Sequence, residues 1–184
     1  MTRKCKQCKA VELPPAAKCE SILEKKGYCS VECLADHTKA KRIAAQAKKE
    51  RESMRQAKEL VKTRQEWIRE AQRWFNKWVR LRDDKEPCIS CGRHHQGQYH
   101  AGHYRTTGAA GQLRFNENNC HKQCAPCNNH LSGNLTEYRP SLIKKIGLPM
   151  VEALEQDNKP HTWTIEELKE IKSKYKTLCA ELSK

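Results

Sequence analysis

Residues 100–130, HAGHYRTTGAAGQLRFNENNCHKQCAPCNNH, hold four histidines, three cysteines and five asparagines. Imidazole gains and loses a proton near neutral pH, so His100, His103, His121 and His130 are candidates for acid–base work or for holding a metal. The cysteines point to metal as well. Cys124 and Cys127 form a CxxC pair, and Cys88 and Cys91 form another with 32 residues between the pairs. In a reducing compartment, two such pairs match tetrahedral zinc, each turning tightly around the ion. Cys88, Cys91, Cys124 and Cys127 are therefore expected to fill one structural zinc site, with Cys120 to spare. A zinc held by four thiolates does not need the enclosed histidines, which are then free for chemistry.

The elements that must position these groups can be read from the same stretch. Gly108 and Gly111 mark a loop before LRFN, so the segment reads as a ribbon and loop followed by a helix beginning near Cys124. A zinc knuckle pinning ribbon to helix would bring His103 opposite Asn128 and His130. Upstream, Cys5, Cys8, Cys29 and Cys33 form a second four-cysteine set, with Cys19 and His37 as alternative ligands. This predicts a small N-terminal zinc knuckle over 1–37.

From about residue 34 to 82 there is no proline or glycine, and strong helix formers dominate, which predicts one long helix or two in series. Residues 39–64 carry ten Lys or Arg against three Glu. Lys41, Arg42, Lys48 and Lys49 are the residues expected to meet DNA phosphates, and the other reading of this stretch is a solvated linker. Trp67, Ile68, Ala71, Trp74, Phe75, Trp78 and Val79 then recur in steps of three and four, an apolar stripe that must be buried in a core or in a dimer. Further on, Ser141–Ile146 with Gly147 reads as a short helix and its cap, and Pro149 starts another. Thr164 and Glu167 form a capping box before the last helix. The fold class is α+β, mostly helical, in segments 1–37, 38–82 and 83–184.

Thirty-six Lys and Arg against 22 Asp and Glu give a net charge of +14 over 184 residues, which favours a polyanion as partner. A mean hydropathy of -0.94 is lean for one large core. Eleven cysteines without an apolar leader after Met1 argue for metal rather than disulfides. No run approaches the ~18 apolar residues of a membrane span, so no membrane association is expected and the cytoplasm is the expected location.

The segment AGHY…FNENNCHKQCAPCN resembles the ββα-metal finger of HNH endonucleases. There, a His on the first strand, an Asn five residues before a CxxC, and a His or Asn just after it frame one divalent ion. The matching positions are His103, Asn119 and Asn128. In GHYRTT, QLRFNE, HKQC, SGN and WTIEE the chain is similar to the lambdoid phage recombination NinG (Rap) family, over most of residues 65–175 and in the N-terminal CxxC with its basic helical region. The resemblance implies a zinc-stabilised HNH-like core and a hydrolase of branched recombination intermediates such as four-way (Holliday) junctions. It places the protein in the host-cell cytoplasm, with recombination proteins as candidate partners.

Phosphodiester hydrolysis needs a base for water, a role that falls to His103, and a hard cation such as Mg²⁺ or Mn²⁺ for the developing charge. Asn128 is the first expected ligand of that ion and His100 the second, because Gly102 stands where the family pattern puts a carboxylate or His. Asn119 is expected to hold the loop through its backbone, His130 to assist, and Arg105 and Arg114 to meet the scissile phosphate. Symmetric cutting of a four-way junction implies a homodimer. Two other readings are a non-catalytic, zinc-stabilised DNA-binding accessory protein and a scaffold joining two zinc knuckles through a dimerising helix.

Overall fold

Thr63 explains why the long helical stretch is two helices. Its side chain accepts from the backbone N–H of Glu66, while the Glu66 carboxylate reaches back to the Thr63 N–H, a capping box that starts a new helix. The computed structural model describes residues 3–13 and 21–183. Its contacts divide the chain into two units, Met1–Val61 and Lys62–Lys184, so the division falls inside the segment 38–82.

The first unit holds a two-stranded antiparallel sheet, β1 (Arg3–Lys4) and β2 (Glu12–Leu13), then α1 (Ile22–Lys26) and α2 (Val31–Leu60). Gly27 closes α1 in the left-handed region at φ 90°, where a side chain would be strained. Ser30 caps α2 by accepting from the Cys33 N–H, but α2 buries none of its residues. Its sequence has too few apolar side chains for a buried face.

The second unit begins with α3 (Arg64–Arg82), which buries Trp67, Ala71, Phe75, Trp78 and Val79 on one face. The ribbon follows: β3 (Tyr99–His103) pairs antiparallel with β4 (Cys120–Cys124) in the register Tyr99↔Cys124 to His103↔Cys120. A π-helical turn, Pro126–His130, stands where a longer helix was expected. Then come α4 (Leu135–Ile146), α5 (Leu148–Gln156) and α6 (Ile165–Glu181). The start of α4 lies six residues before the expected Ser141, and Pro140 sits inside it. Pro140 is exposed, so the carbonyl it leaves unbonded can face water.

Two apolar clusters hold this unit. In the first, α3 packs against α6, and the Phe75 ring meets Tyr175 and Phe115 edge-on at 5.0 and 5.8 Å between centroids. Trp67, Ala71, Phe75, Trp78 and Val79 of the aromatic stripe are thus buried within the chain, and Ile68 and Trp74 pack beside them partly exposed. The second cluster joins Tyr104, Leu113, Tyr138, Leu142, Val151 and Leu154. Among the described residues no helix is long and apolar enough to cross a membrane.

Candidate functional site

Both cysteine sets are assembled. The sulfurs of Cys5, Cys8, Cys29 and Cys33 lie within 4.8 Å of one another, as do those of Cys88, Cys91, Cys124 and Cys127. A zinc ~2.3 Å from four sulfurs sets them roughly 3.8 Å apart. The Cys8–Cys29 and Cys29–Cys33 separations of 3.7 and 3.5 Å fit that ion. Each cluster could hold zinc. His37 is not among the four clustered residues of the first site: its ring lies against Tyr28 at 5.3 Å, and Cys19 is outside the described residues. Around the second site, the Cys124 N–H donates to Cys88 Sγ at 3.3 Å and the Asn134 amide to Cys127 Sγ at 3.6 Å. His95 Nε2 lies 3.2 Å from Cys91 Sγ. Such outer contacts orient thiolates and offset their charge. Cys120 and Cys179 are buried in the α3–α6 core instead.

At the other end of the ribbon, His103 Nε2 lies 2.9 Å from the Arg114 carbonyl oxygen. A carbonyl only accepts, so Nε2 carries the proton and Nδ1 keeps the lone pair. Burial pulls the His103 pKa below its ordinary value, which keeps the ring neutral at pH 7. Nδ1 lies 3.7 Å from Cys120 Sγ, and burial raises that thiol far above the range in which it ionises. Phe75 covers the ring at 6.1 Å between centroids.

Asn119 determines where Arg114 sits. Fully buried, it accepts from the Arg105 N–H at 2.8 Å and donates to the carbonyls of Arg105 and Leu113 at 3.0 and 3.2 Å. Three bonds from one amide close the loop 104–119 over the ribbon end and fix the carbonyl that orients His103.

The remaining expected residues are placed as follows. Asn128 donates to Asn129 Oδ1 at 2.8 Å, and His130 is exposed. Neither is among the contacts of His103. Four residue steps along the ribbon, roughly 13 Å at ~3.3 Å per residue, separate the His103 pair from the Cys124 pair that leads to them. Arg105 turns its guanidinium inward to the Leu154 and Asp157 carbonyls and Asn158 Oδ1, where it caps the end of α5. Arg114 is half-buried, with long bonds of 3.3 and 3.4 Å to Gln72 and Thr107. Lys41, Arg42, Lys48 and Lys49 all lie exposed on α2.

Two further residues, Tyr138 and Gln123, build the site without having stood out in the sequence, and His121, a candidate there, joins them. Tyr138 donates to the Gly102 carbonyl at 3.0 Å, so its oxygen accepts from His121 Nδ1 at 3.3 Å. Burial first, then the charges of Arg82 and Lys145, lower the His121 pKa to about 3. Gln123 is wholly buried opposite His100. The step of three from Gln123 back to Cys120 was the available signal for His121 and Gln123, because alternation along a strand puts both on the face away from Cys120.

The family model described as Bacteriophage Lambda NinG protein matches residues 1–184. Protein ninG of Salmonella phage P22 is 53% identical over 107 residues, covering 58% of this chain and 53% of that protein. Protein ninG of Escherichia phage lambda is 53% identical over 107 residues, 58% of this chain and 52% of that protein. Protein ninG of Escherichia phage 933W is 51% identical over the same length, with shares of 58% and 53%. The matched residues thus span about half the length of these curated relatives. No solved structure matches the chain.

Proposed function

We infer the function of this chain from its membership and its geometry: it belongs to the NinG family of bacteriophage lambda, and we propose that it is a divalent-metal-dependent endonuclease of branched DNA. One observation carries the catalytic part. The Arg114 carbonyl holds the proton of His103 on Nε2, so Nδ1 keeps the lone pair that a general base uses, with the Cys120 thiol 3.7 Å from it, and burial keeps the ring neutral. In this reading His103 Nδ1 takes the proton of the attacking water. Asn119 keeps the Arg114 carbonyl in place, and His103 then passes its proton to solvent as the ring returns to the neutral form. A divalent ion, when bound, supplies positive charge beside the leaving oxygen and the phosphate. The exposed cations of α2, Lys41, Arg42, Lys48 and Lys49 among them, supply contacts to the phosphate backbone that carry no sequence information. Two copies cut the two strands of a junction.

One observation favours a second reading, a zinc-stabilised DNA-binding accessory protein: His103 and Asn128 belong to opposite ends of the ribbon. The two readings part on a single experiment. Purified zinc-loaded protein is incubated with a synthetic four-way junction and a linear duplex in Mg²⁺, Mn²⁺ or EDTA. The nuclease reading expects metal-dependent cleavage of the junction. His103→Ala should keep zinc and junction binding and lose cleavage by roughly 100- to 10,000-fold, as for removal of a general base. Tight junction binding with no cleavage in any ion would select the accessory reading.

A further inference from the structure

We propose that α2 pairs side by side and in parallel with α2 of a second copy of this chain, through a stripe that runs along its length. The pairing gives the two copies of the nuclease reading a surface to meet on and rests on that reading for its use, while the observations that carry it lie on α2 alone.

Ala40, Ile43, Ala47, Glu50, Met54 and Ala57 follow one another in strictly alternating steps of three and four. That is the a and d spacing of a heptad repeat, and Val61, four residues on, continues it. Ile43, Met54 and Val61 are 60%, 62% and 79% exposed. A helix of 30 residues, roughly 45 Å long, that buries none of them draws no stability from packing within its own chain. The small side chain of Ala47 leaves a shallow hollow on α2, bordered by Glu50, Arg51 and Met54. These four stand at i, i+3, i+4 and i+7, the corners of a hole that receives one side chain of a facing helix.

Charge selects the occupant and its direction. With Ala40 at a and Ile43 at d, Lys39, Gln46 and Ser53 flank the stripe at g, and Ala44, Arg51 and Lys58 flank it at e. In a parallel pair each g faces the e of the next heptad across the seam. Lys39 then meets Ala44, Gln46 meets Arg51 and Ser53 meets Lys58, so no like charges are opposed. An antiparallel pair would set e against e, bringing Arg51 and Lys58 up to the same cations of the second copy. In the parallel register the hollow at Ala47 receives Glu50 of the second copy beside Arg51. Twofold symmetry repeats the contact, so the two carboxylates near the axis meet two guanidiniums. Lys41 and Lys48 fall at b, and Arg42 and Lys49 at c. Pairing therefore leaves the cations assigned to phosphate on the outer face, where DNA can reach them.

The test uses full-length, zinc-loaded protein without DNA. Sedimentation equilibrium should show a monomer–dimer equilibrium. Ile43→Asp with Met54→Asp should weaken it roughly 100-fold or more, because carboxylates without partners would be buried in the seam. The same change of charge at outer positions, Ala45→Asp with Gln56→Asp, should leave it within about twofold. Glu50→Leu should tighten it roughly 10-fold, since a polar residue in the seam fixes register at a cost in stability. Zinc content should be unchanged in every variant. A spin label on an unnatural amino acid replacing Thr38 reads direction and leaves the cysteines alone: parallel copies bring the labels abreast, whereas antiparallel copies set them roughly 35–40 Å apart along the axis. A wild type that stays monomeric, a dimer indifferent to Ile43→Asp with Met54→Asp, or labels far apart would overturn the pairing. A parallel dimer of the expected pattern that cuts no junction would leave the pairing standing and sink the nuclease reading instead.

Discussion

The two four-cysteine clusters share a ligand set and differ in their surroundings. In the first unit the buried apolar side chains among the described residues are Cys5, Leu13 and Tyr28, and neither α1 nor α2 buries anything. In the second unit Cys88, Cys124 and Cys127 adjoin two apolar clusters that include the α3–α6 pair. A metal in the first cluster would stand in for a core, and in the second it would fasten one end of a ribbon already packed along its length. The same chemistry therefore serves as foundation in one place and as clip in the other.

Removing metal is the largest disturbance that could break this comparison. Structural zinc contributes an apparent ~10–16 kcal/mol where it replaces a core. Excess chelator should leave residues 3–33 without exchange protection, while amides of α3 and α6 stay protected. All four tryptophans, Trp67, Trp74, Trp78 and Trp163, lie in the second unit, so their near-ultraviolet signal reports on it alone. Loss of that signal in step with the protection of residues 3–33 would show that the clusters are equivalent.

Next in size is the contrast between α2 and α3. Phe75→Ala removes a ring that is wholly buried between Tyr175 and Phe115 and should cost ~3–5 kcal/mol. Met54→Ala, on an exposed side chain of α2, should stay within about 0.5 kcal/mol in protein dilute enough to be monomeric. Denaturant unfolding of the zinc-loaded protein, followed by tryptophan fluorescence for Phe75 and by helical circular dichroism for Met54, measures both. A costly Met54→Ala at that dilution would mean that α2 is covered within its own chain.

A third effect belongs to DNA affinity. If α2 neutralises phosphates, replacing Lys41, Arg42, Lys48 and Lys49 with Ala should flatten the log–log salt dependence of binding by about 0.9 for each phosphate left without its cation. An unchanged slope would assign those cations to solvent.

What could be read from residue types was local. The cysteine spacings located both clusters, because knuckle geometry depends on near neighbours. Steps of three and four located the buried face of α3, and Thr164 with Glu167 marked the start of α6 by a capping box formed within one turn; the same box at Thr63 and Glu66 decides between the one helix or two that the sequence left open. What escaped was non-local. Nothing in the sequence states that the Arg105 guanidinium closes the end of α5 some 50 residues on, or that Gln123 fills the space beside Gly102. The helix read from Ser141 begins at Leu135 instead, with Pro140 inside it, because on an exposed face the carbonyl that a proline frees can bond to water.

The smallest effect sharpens the comparison through acid. His121 is buried and neutral, with its pKa lowered to about 3 by burial and by the charges of Arg82 and Lys145, whereas an unfolded chain titrates near ~6.5. Between these values the unfolded state binds a proton that the folded state does not. The contribution is therefore complete above ~6.5 and is lost as pH falls through that window, by about 2 kcal/mol at pH 5. Acid also protonates the cluster thiolates and, with the same sign, the buried His103, so the wild-type profile alone is composite. His121→Gln isolates the imidazole, since an amide can still donate to the Tyr138 oxygen and has no proton to gain. Between pH 7.5 and 5, with zinc saturating, the tryptophan-detected unfolding free energy of the variant should fall about 2 kcal/mol less than that of the wild type. The first unit contains no buried histidine among its described residues, so exchange protection at residues 3–33 should respond to acid alike in both proteins. Parallel profiles for the second unit would mean that His121 is charged in the fold, and that the ribbon face shared by Gly102, Gln123 and Tyr138 is wetter than its burial implies.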